Sequence, residues 1–173
     1  DGLIHFSRDG GVKWELISSS LPKDLWISRV VASSHKEGRV YTTLNGYRWD
    51  DFSPYVYVSD DYGNTWKSIN SNLPFSPLNV IIEDPVNENI LYVGNDNGVY
   101  VSFDMGQSWE PFSKGLTSAA VHDLVIQEKE NHLVVGTHGR SIYVADISNI
   151  QKADANFLKK PIHFFEIKHI NHS

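Results

Sequence analysis

The sequence predicts an all-β protein, a β-propeller of four-stranded antiparallel blades of which it spans about three and a half. Three observations carry this. One short phrase recurs along the chain, its clearest copies stand 43 residues apart, and each period holds several segments rich in Val, Ile and Tyr. Gly, Asn, Asp and Pro punctuate those segments, and no long helical period is visible. Four short β-rich segments in a period of about 40–45 residues are the signature of a propeller blade.

The phrase reads LIHFSRDGGVKW at 3–14, VYVSDDYGNTW at 56–66 and VYVSFDMGQSW at 99–109. Its skeleton is Ser-x-Asp-x-Gly-x-Thr/Ser-Trp. Ser59, Asp61, Gly63, Thr65 and Trp66 fill it once, and Ser102, Asp104, Gly106, Ser108 and Trp109 fill it again. The first copy keeps Ser7, Asp9, Gly11 and Trp14, with Lys13 at the hydroxyl position. A fourth, IYVADI at 142–147, has Ala145 and Ile147 where Ser and Asp belong, so its motif is lost. From Ser59 to Ser102 and from Ser102 to Ala145 is 43 residues each; from Ser7 to Ser59 is 52. The surplus is a longer loop, NGYRWDDFSPY at 45–55. A leucine follows each Trp by seven positions (Leu21, Leu73, Leu116), and an apolar segment comes next, at 27–33, 78–84 and 121–127. A second segment follows each: RVYTT, ILYVG and HLVVG.

With strands A to D counted from the axis outward, the phrase joins C to D. Ser and Asp side chains can bond backbone groups within such a turn. Gly supplies a positive φ, and Trp caps the turn with an apolar face beside the next strand. Calcium or sugar binding is the other reading of the Asp. One carboxylate per turn is too few for calcium, which takes about six to eight oxygens. The turn reads as a self-satisfied hairpin.

Strand counting divides residues 1–150. Residues 1–20 hold the C and D strands of a first blade, 21–74 and 75–116 two whole blades, and 117–150 strands A to C of a last one. Residues 151–173 read as a closing strand or an exit segment. A propeller avoids exposed edges by closing on itself, which this set of strands cannot do. The expectation is that further blades of the same propeller complete it; the alternatives are a second copy or an edge left open.

A net charge of −6 with scattered Lys and Arg argues against a nucleic-acid partner. No run is long and apolar enough to span a membrane as a helix. There is no cysteine, hence neither disulfide nor thiolate metal site. His169 and His172 form a pair at the tail, but two histidines in a polar segment are ordinarily solvated. No metal or cofactor is expected.

These motifs match the BNR/Asp-box repeat. WDDFSPYVYVSDDYGNTW, GVYVSFDMGQSW and VVGTHGRSIYVAD resemble the closing blades of large BNR-repeat proteins. Those are related to the sortilin (VPS10) propeller and are often labelled glycosyl hydrolase-like. The resemblance covers roughly residues 2–150. It implies a propeller of seven or more blades in the complete protein and an extracytoplasmic place. It leaves the activity open, because one scaffold serves sialidases, xyloglucan-active glycosidases and peptide-binding receptors. The sialidase branch fails: no Phe/Tyr-Arg-Ile-Pro motif occurs, and no three arginines are suitably placed.

Ligands of propellers usually meet the face carrying the B-to-C loops and D-to-A connections. The B-to-C loops here are 45–55, GNDNG at 94–98 and GTHGR at 136–140. In the first, Tyr47, Trp49, Phe52 and Tyr55 interleave with Arg48, Asp50 and Asp51, a composition suited to sugar stacking or a peptide anchor. Packing on the neighbouring blade is the structural alternative. In the third, Arg140 could clamp an anion and His138 could shuttle a proton; a tight turn with an ion-paired Arg140 is the alternative. His122-Asp123 and Ser28-Arg29 sit at equivalent places atop inner strands and could line the central channel. Asp96 reads as a turn former. The leading expectation is a non-catalytic segment presenting a binding face for glycans or peptides. A glycoside hydrolase would instead need Asp50 or Asp51 to oppose a carboxylate such as Asp96 or Asp123, or one on another blade. A purely structural scaffold is the third possibility.

Overall fold

The computed structural model of this protein describes residues 2–112 and 119–153. Thirteen strands among them form four antiparallel sheets. Strands β1 (His5–Phe6) and β2 (Glu15–Leu16) pair alone. Strands β3 (Trp26–Ala32), β4 (Val40–Gly46), β5 (Asp51–Ser59) and β6 (Lys67–Ser68) form a sheet in chain order. So do β7 (Leu78–Glu83), β8 (Leu91–Asn95), β9 (Gly98–Ser102) and β10 (Glu110–Pro111). The last sheet holds β11 (Val121–Gln127), β12 (His132–Thr137) and β13 (Ile142–Asp146).

The core lies between sheets. Tyr41 and Val56 of one blade pack with Leu78, Ile81, Leu91 and Val93 of the next. Tyr92, Val99 and Val101 pack in turn with Val121, Leu124, Leu133 and Val135. Ile4 and Ile17 of the first hairpin meet Leu21, Leu25 and Leu44. Alternation along each strand thus feeds two interfaces, one per face of the sheet. The hairpin covers only part of its neighbour. Val30 is exposed, while Ile81 and Leu124, at the matching inner-strand positions, are buried.

Each box closes on itself. Ser59 Oγ accepts from the Gly63 N–H at 2.8 Å, and Asp61 accepts from the Thr65 N–H and hydroxyl at 2.8 and 2.7 Å. Ser102, Gly106, Asp104 and Ser108 repeat this at 2.8, 2.8 and 2.6 Å. Ser7, Gly11 and Asp9 do the same, with the Lys13 N–H at 2.9 Å from Asp9. Gly63 and Gly106 have φ of 86° and 84°, which an L side chain resists.

Two expectations need correction. The box Trp reaches backward, not to the next strand: Trp66 Nε1 donates to the Ile17 carbonyl and Trp109 Nε1 to Ile69, each at 2.7 Å. Its partner is the blade before it, so the box is a blade-to-blade joint. Residues 45–55 are less a loop than a hairpin extension, with a 3-10 turn at Tyr47–Trp49 and β5 starting at Asp51. The left-handed Asp50 (φ 58°) lets the chain reverse there. Where the fourth box is lost, an apolar turn replaces it, with Ile147, Ile150 and Ala153 buried beside Phe112. Leu116 and Thr117, His169 and His172, and all of the strand or exit segment expected at 151–173 except its first three residues lie outside the described residues.

Candidate functional site

Every inner strand carries a β-bulge at the same register. It falls between Ile27 and Arg29, between Leu78 and Val80, and between Val121 and Asp123. The extra residue is Ser28, Asn79 or His122, and a bulge re-aims its side chain out of the ladder. Ser28 Oγ donates to the Leu78 carbonyl of the next blade at 2.9 Å, and Asn79 Nδ2 donates to the Val121 carbonyl at 3.0 Å. Asn45 Nδ2 reaches Asn79 Oδ1 at 2.9 Å, and Asn79 Nδ2 also lies 3.0 Å from Asp96 Oδ1. The Arg29 guanidinium forms an ion pair with Asp123, two blades away. His122 and His138, kept apart in the sequence, face each other with ring centroids 5.2 Å apart. This is a ring of polar groups around the axis on the B-to-C loop face. Arg29 Nε is buried there without a partner. Arg140 is exposed, and no carboxylate among the described residues pairs with it.

A ridge of aromatic rings stands outside the ring. Tyr47 meets Phe52 edge-on at 5.8 Å, and Phe52 lies 6.3 Å from Phe75. The Arg48 guanidinium sits over Trp26 at 5.6 Å, a cation–π contact that fixes the arginine against the ring. Tyr47, Trp49, Trp26 and Phe75 all remain exposed. Trp49 also walls an open groove of about 680 Å³ with Leu3, Leu16, Leu21, Lys23 and Leu25. Tyr55 does not join this surface. It packs on the core between the first two blades and gives its hydroxyl to Asp51 at 2.7 Å.

Three of the candidate carboxylates have partners. Asp51 accepts from the Ser53 N–H at 2.9 Å and from Tyr55, and these bonds keep its pKa below the ordinary carboxylate value. The same pair pushes the Tyr55 hydroxyl up, through the bond to Asp51 first and burial second. Asp96 faces Asn79, and Asp123 faces Arg29. Asp50 occupies the reversing position of the turn. Among the described residues no three His, Cys, Asp or Glu gather as a metal set.

Trp26, Phe75 and Asn79 escape a reading of the B-to-C loops alone. Phe75 lies on a D-to-A connection and Trp26 opens β3 at the end of one; these connections share a face with the B-to-C loops, and that rule could have found them.

The sortilin (neurotensin receptor 3, Vps10) family model matches residues 54–156. No curated protein sequence matches the chain. Among solved structures, YCF48 bound to D1 peptide is similar over 84% of this chain and 46% of its own, at 17% identity and a TM-score of 0.60. An ancestral GH74 enzyme is similar over 70% of this chain and 17% of its own, at 16% identity and a TM-score of 0.57. The GH74 xyloglucanase from Xanthomonas campestris is similar over 70% and 21%, at 15% identity and a TM-score of 0.56. The chain thus spans less than half the length of these structures. At such identities the likeness is one of fold, that of a β-propeller.

Proposed function

We propose, given that the chain belongs to the sortilin (Vps10) family, that it is a non-catalytic stretch of a β-propeller whose B-to-C loop face binds a glycan or a peptide. The observation that carries this reading is the exposed ridge of Trp26, Tyr47, Trp49 and Phe75. Exposed aromatic area of this kind on a braced loop offers a stacking surface to a sugar ring or a slot to an apolar side chain. His138 and Arg140, exposed on the third B-to-C loop of the same face, offer donors to orient a ligand. Neighbouring propellers include one named a xyloglucanase and one bound to a peptide, which supports either ligand class on this scaffold.

The test is a binding screen of the chain against immobilised glycans and a peptide library, repeated with Trp49→Ala and Tyr47→Ala. Loss of one stacking ring should weaken binding about tenfold, on the order of 1.4 kcal/mol, with folding retained because both rings are exposed. Ligands bound equally well by both variants would remove the ridge from the site.

The GH74 likeness favours a second reading, a piece of a glycoside hydrolase. The bonds from Ser53 and Tyr55 that hold the Asp51 carboxyl below the ordinary value weigh against it, since a general acid needs a raised pKa. Hydrolysis of a β-glucan by the chain, abolished by Asp96→Asn or Asp123→Asn, would overturn the non-catalytic reading.

A further inference from the structure

We propose that Asn97 is a site of spontaneous deamidation, which turns the tip of the second B-to-C loop into aspartate or isoaspartate and adds a negative charge to that face. Asparagine before glycine is the labile pair, because the glycine has no side chain to hinder attack by its backbone nitrogen. The chain holds two such pairs, Asn45-Gly46 and Asn97-Gly98. In the reaction the Gly98 nitrogen gives its proton to hydroxide and attacks Asn97 Cγ. The new N–Cγ bond closes a succinimide ring, the Cγ–Nδ2 bond breaks, and the nitrogen leaves as ammonia with a proton from water. A second water opens the ring. Attack at Cγ restores the ordinary backbone as aspartate, and attack at the main-chain carbonyl leaves the backbone running through Cγ, as isoaspartate.

The fold treats the two pairs oppositely. Asn45 is buried and held at both ends of its amide: Nδ2 donates to Asn79 Oδ1 at 2.9 Å, and Oδ1 accepts from the Tyr47 N–H at 2.9 Å. A Cβ at Gly46 would stand 2.8 Å from Asp51, so the backbone there has no room to turn. Asn97 is exposed, and its side-chain amide bonds nothing among the described residues; only its backbone N–H is held, by Asn95 Oδ1 at 2.8 Å. Asp96 and Asn97 form the turn between β8 and β9, and Gly98 faces Asn95 in the last rung of that ladder. An end rung frays most readily, which frees the attacking nitrogen. A Cβ at Gly98 would meet nothing within 4 Å, so the ring has space to close. The product alters the polar ring. Asp96 Oδ1 lies 3.0 Å from Asn79 Nδ2; a carboxylate at position 97 sets a like charge beside Asp96, and isoaspartate lengthens the backbone of the turn that holds it.

Peptide mapping by mass spectrometry tests this, after the folded 173-residue chain has stood in mildly alkaline buffer. The fragment carrying Asn97 should convert at least about tenfold faster than the fragment carrying Asn45, which reacts only after local opening. An isoaspartate-specific methyltransferase should label the Asn97 fragment. Conversion should quicken as pH rises, since the attacking nitrogen must lose its proton. In concentrated urea the two fragments should convert at similar rates, because only the local sequence then counts. On isoelectric focusing, the first acidic band to grow with time should be missing from Asn97→Ser, which has no amide to lose and keeps the fold because the side chain is exposed. Equal rates at the two sites in the folded chain, or none at Asn97, would overturn the proposal. So would a first acidic band that survives Asn97→Ser, or an equal preference for Asn97 in urea, where the fold cannot be selecting. None of these measurements involves the aromatic ridge or its ligand.

Discussion

The first and third Asp boxes have the same internal wiring and opposite surroundings. Ser7 and Ser102 accept from the box glycine at 2.7 and 2.8 Å, and Asp9 and Asp104 accept from the N–H two residues further on at 2.9 and 2.8 Å. Yet Trp14 is 63% exposed and turns its indole N–H back onto Gly11, while Trp109 is 2% exposed and bonds Ile69 of the preceding blade. The hairpin is thus a local solution to the hydrogen-bonding of its own backbone. What the tryptophan contributes is decided by the blade it meets.

The sharpest way to break this contrast is to truncate the two indoles. Trp109→Ala should cost about 3–5 kcal/mol, as removal of a large buried ring does. Trp14→Ala should stay within about 0.5 kcal/mol. Urea unfolding of both variants checks this, and equal losses would show that the indole acts within its own turn.

Next in size is the glycine. A Cβ at Gly106 would stand 2.8 Å from Ile69, and one at Gly63 2.5 Å from Ile17, whereas at Gly11 it meets nothing closer than 3.5 Å. Gly106→Ala should therefore cost backbone strain plus about 1–3 kcal/mol of overpacking. Gly11→Ala should cost strain alone, on the order of 1 kcal/mol. Comparable losses at the two sites would mean that strain dominates and the blade contact is soft.

Acid should then erase what the boxes share. Hydrogen bonds hold all three box carboxylates below the ordinary value of 3.8: from Lys13 and Ser7 at Asp9, and from Thr65 and Ser59 at Asp61. At Asp104 partial burial opposes this, but the bonds from Ser108 and Ser102 prevail. A folded-state pKa below the unfolded one contributes stability that is present above about pH 4 and lost as pH falls through the lowered values. The unfolding midpoint should decline between about pH 5 and pH 3, and less so in the triple variant Asp9→Asn, Asp61→Asn, Asp104→Asn. Parallel declines would place the acid sensitivity elsewhere.

The proposed binding face was legible only in part. Tyr47, Arg48 and Trp49 stood out because a 52-residue period against 43 exposes an insertion, and insertions project from a blade. Tyr55 belonged to the same string but is half-buried in β5 against the cluster of Ile4, Ile17 and Leu44. The extension is strand rather than loop, and alternation along a strand sends successive side chains to opposite faces. The pairing of His122 with His138 and of Arg29 with Asp123 joins residues 16 and 94 positions apart, so no local pattern encodes it.

By itself the sequence determined what depends on short-range chemistry. This covers the period, the strand segments, the box turns with their Ser, Asp and Gly, and hence four-stranded units that must stack. Only the tertiary structure decided which way each tryptophan points, which bulge residues link the blades, and which apolar positions stay bare. Those are properties of the interfaces between blades. An interface joins residues from separate periods, and its energy comes from surface that is buried only when both blades are present.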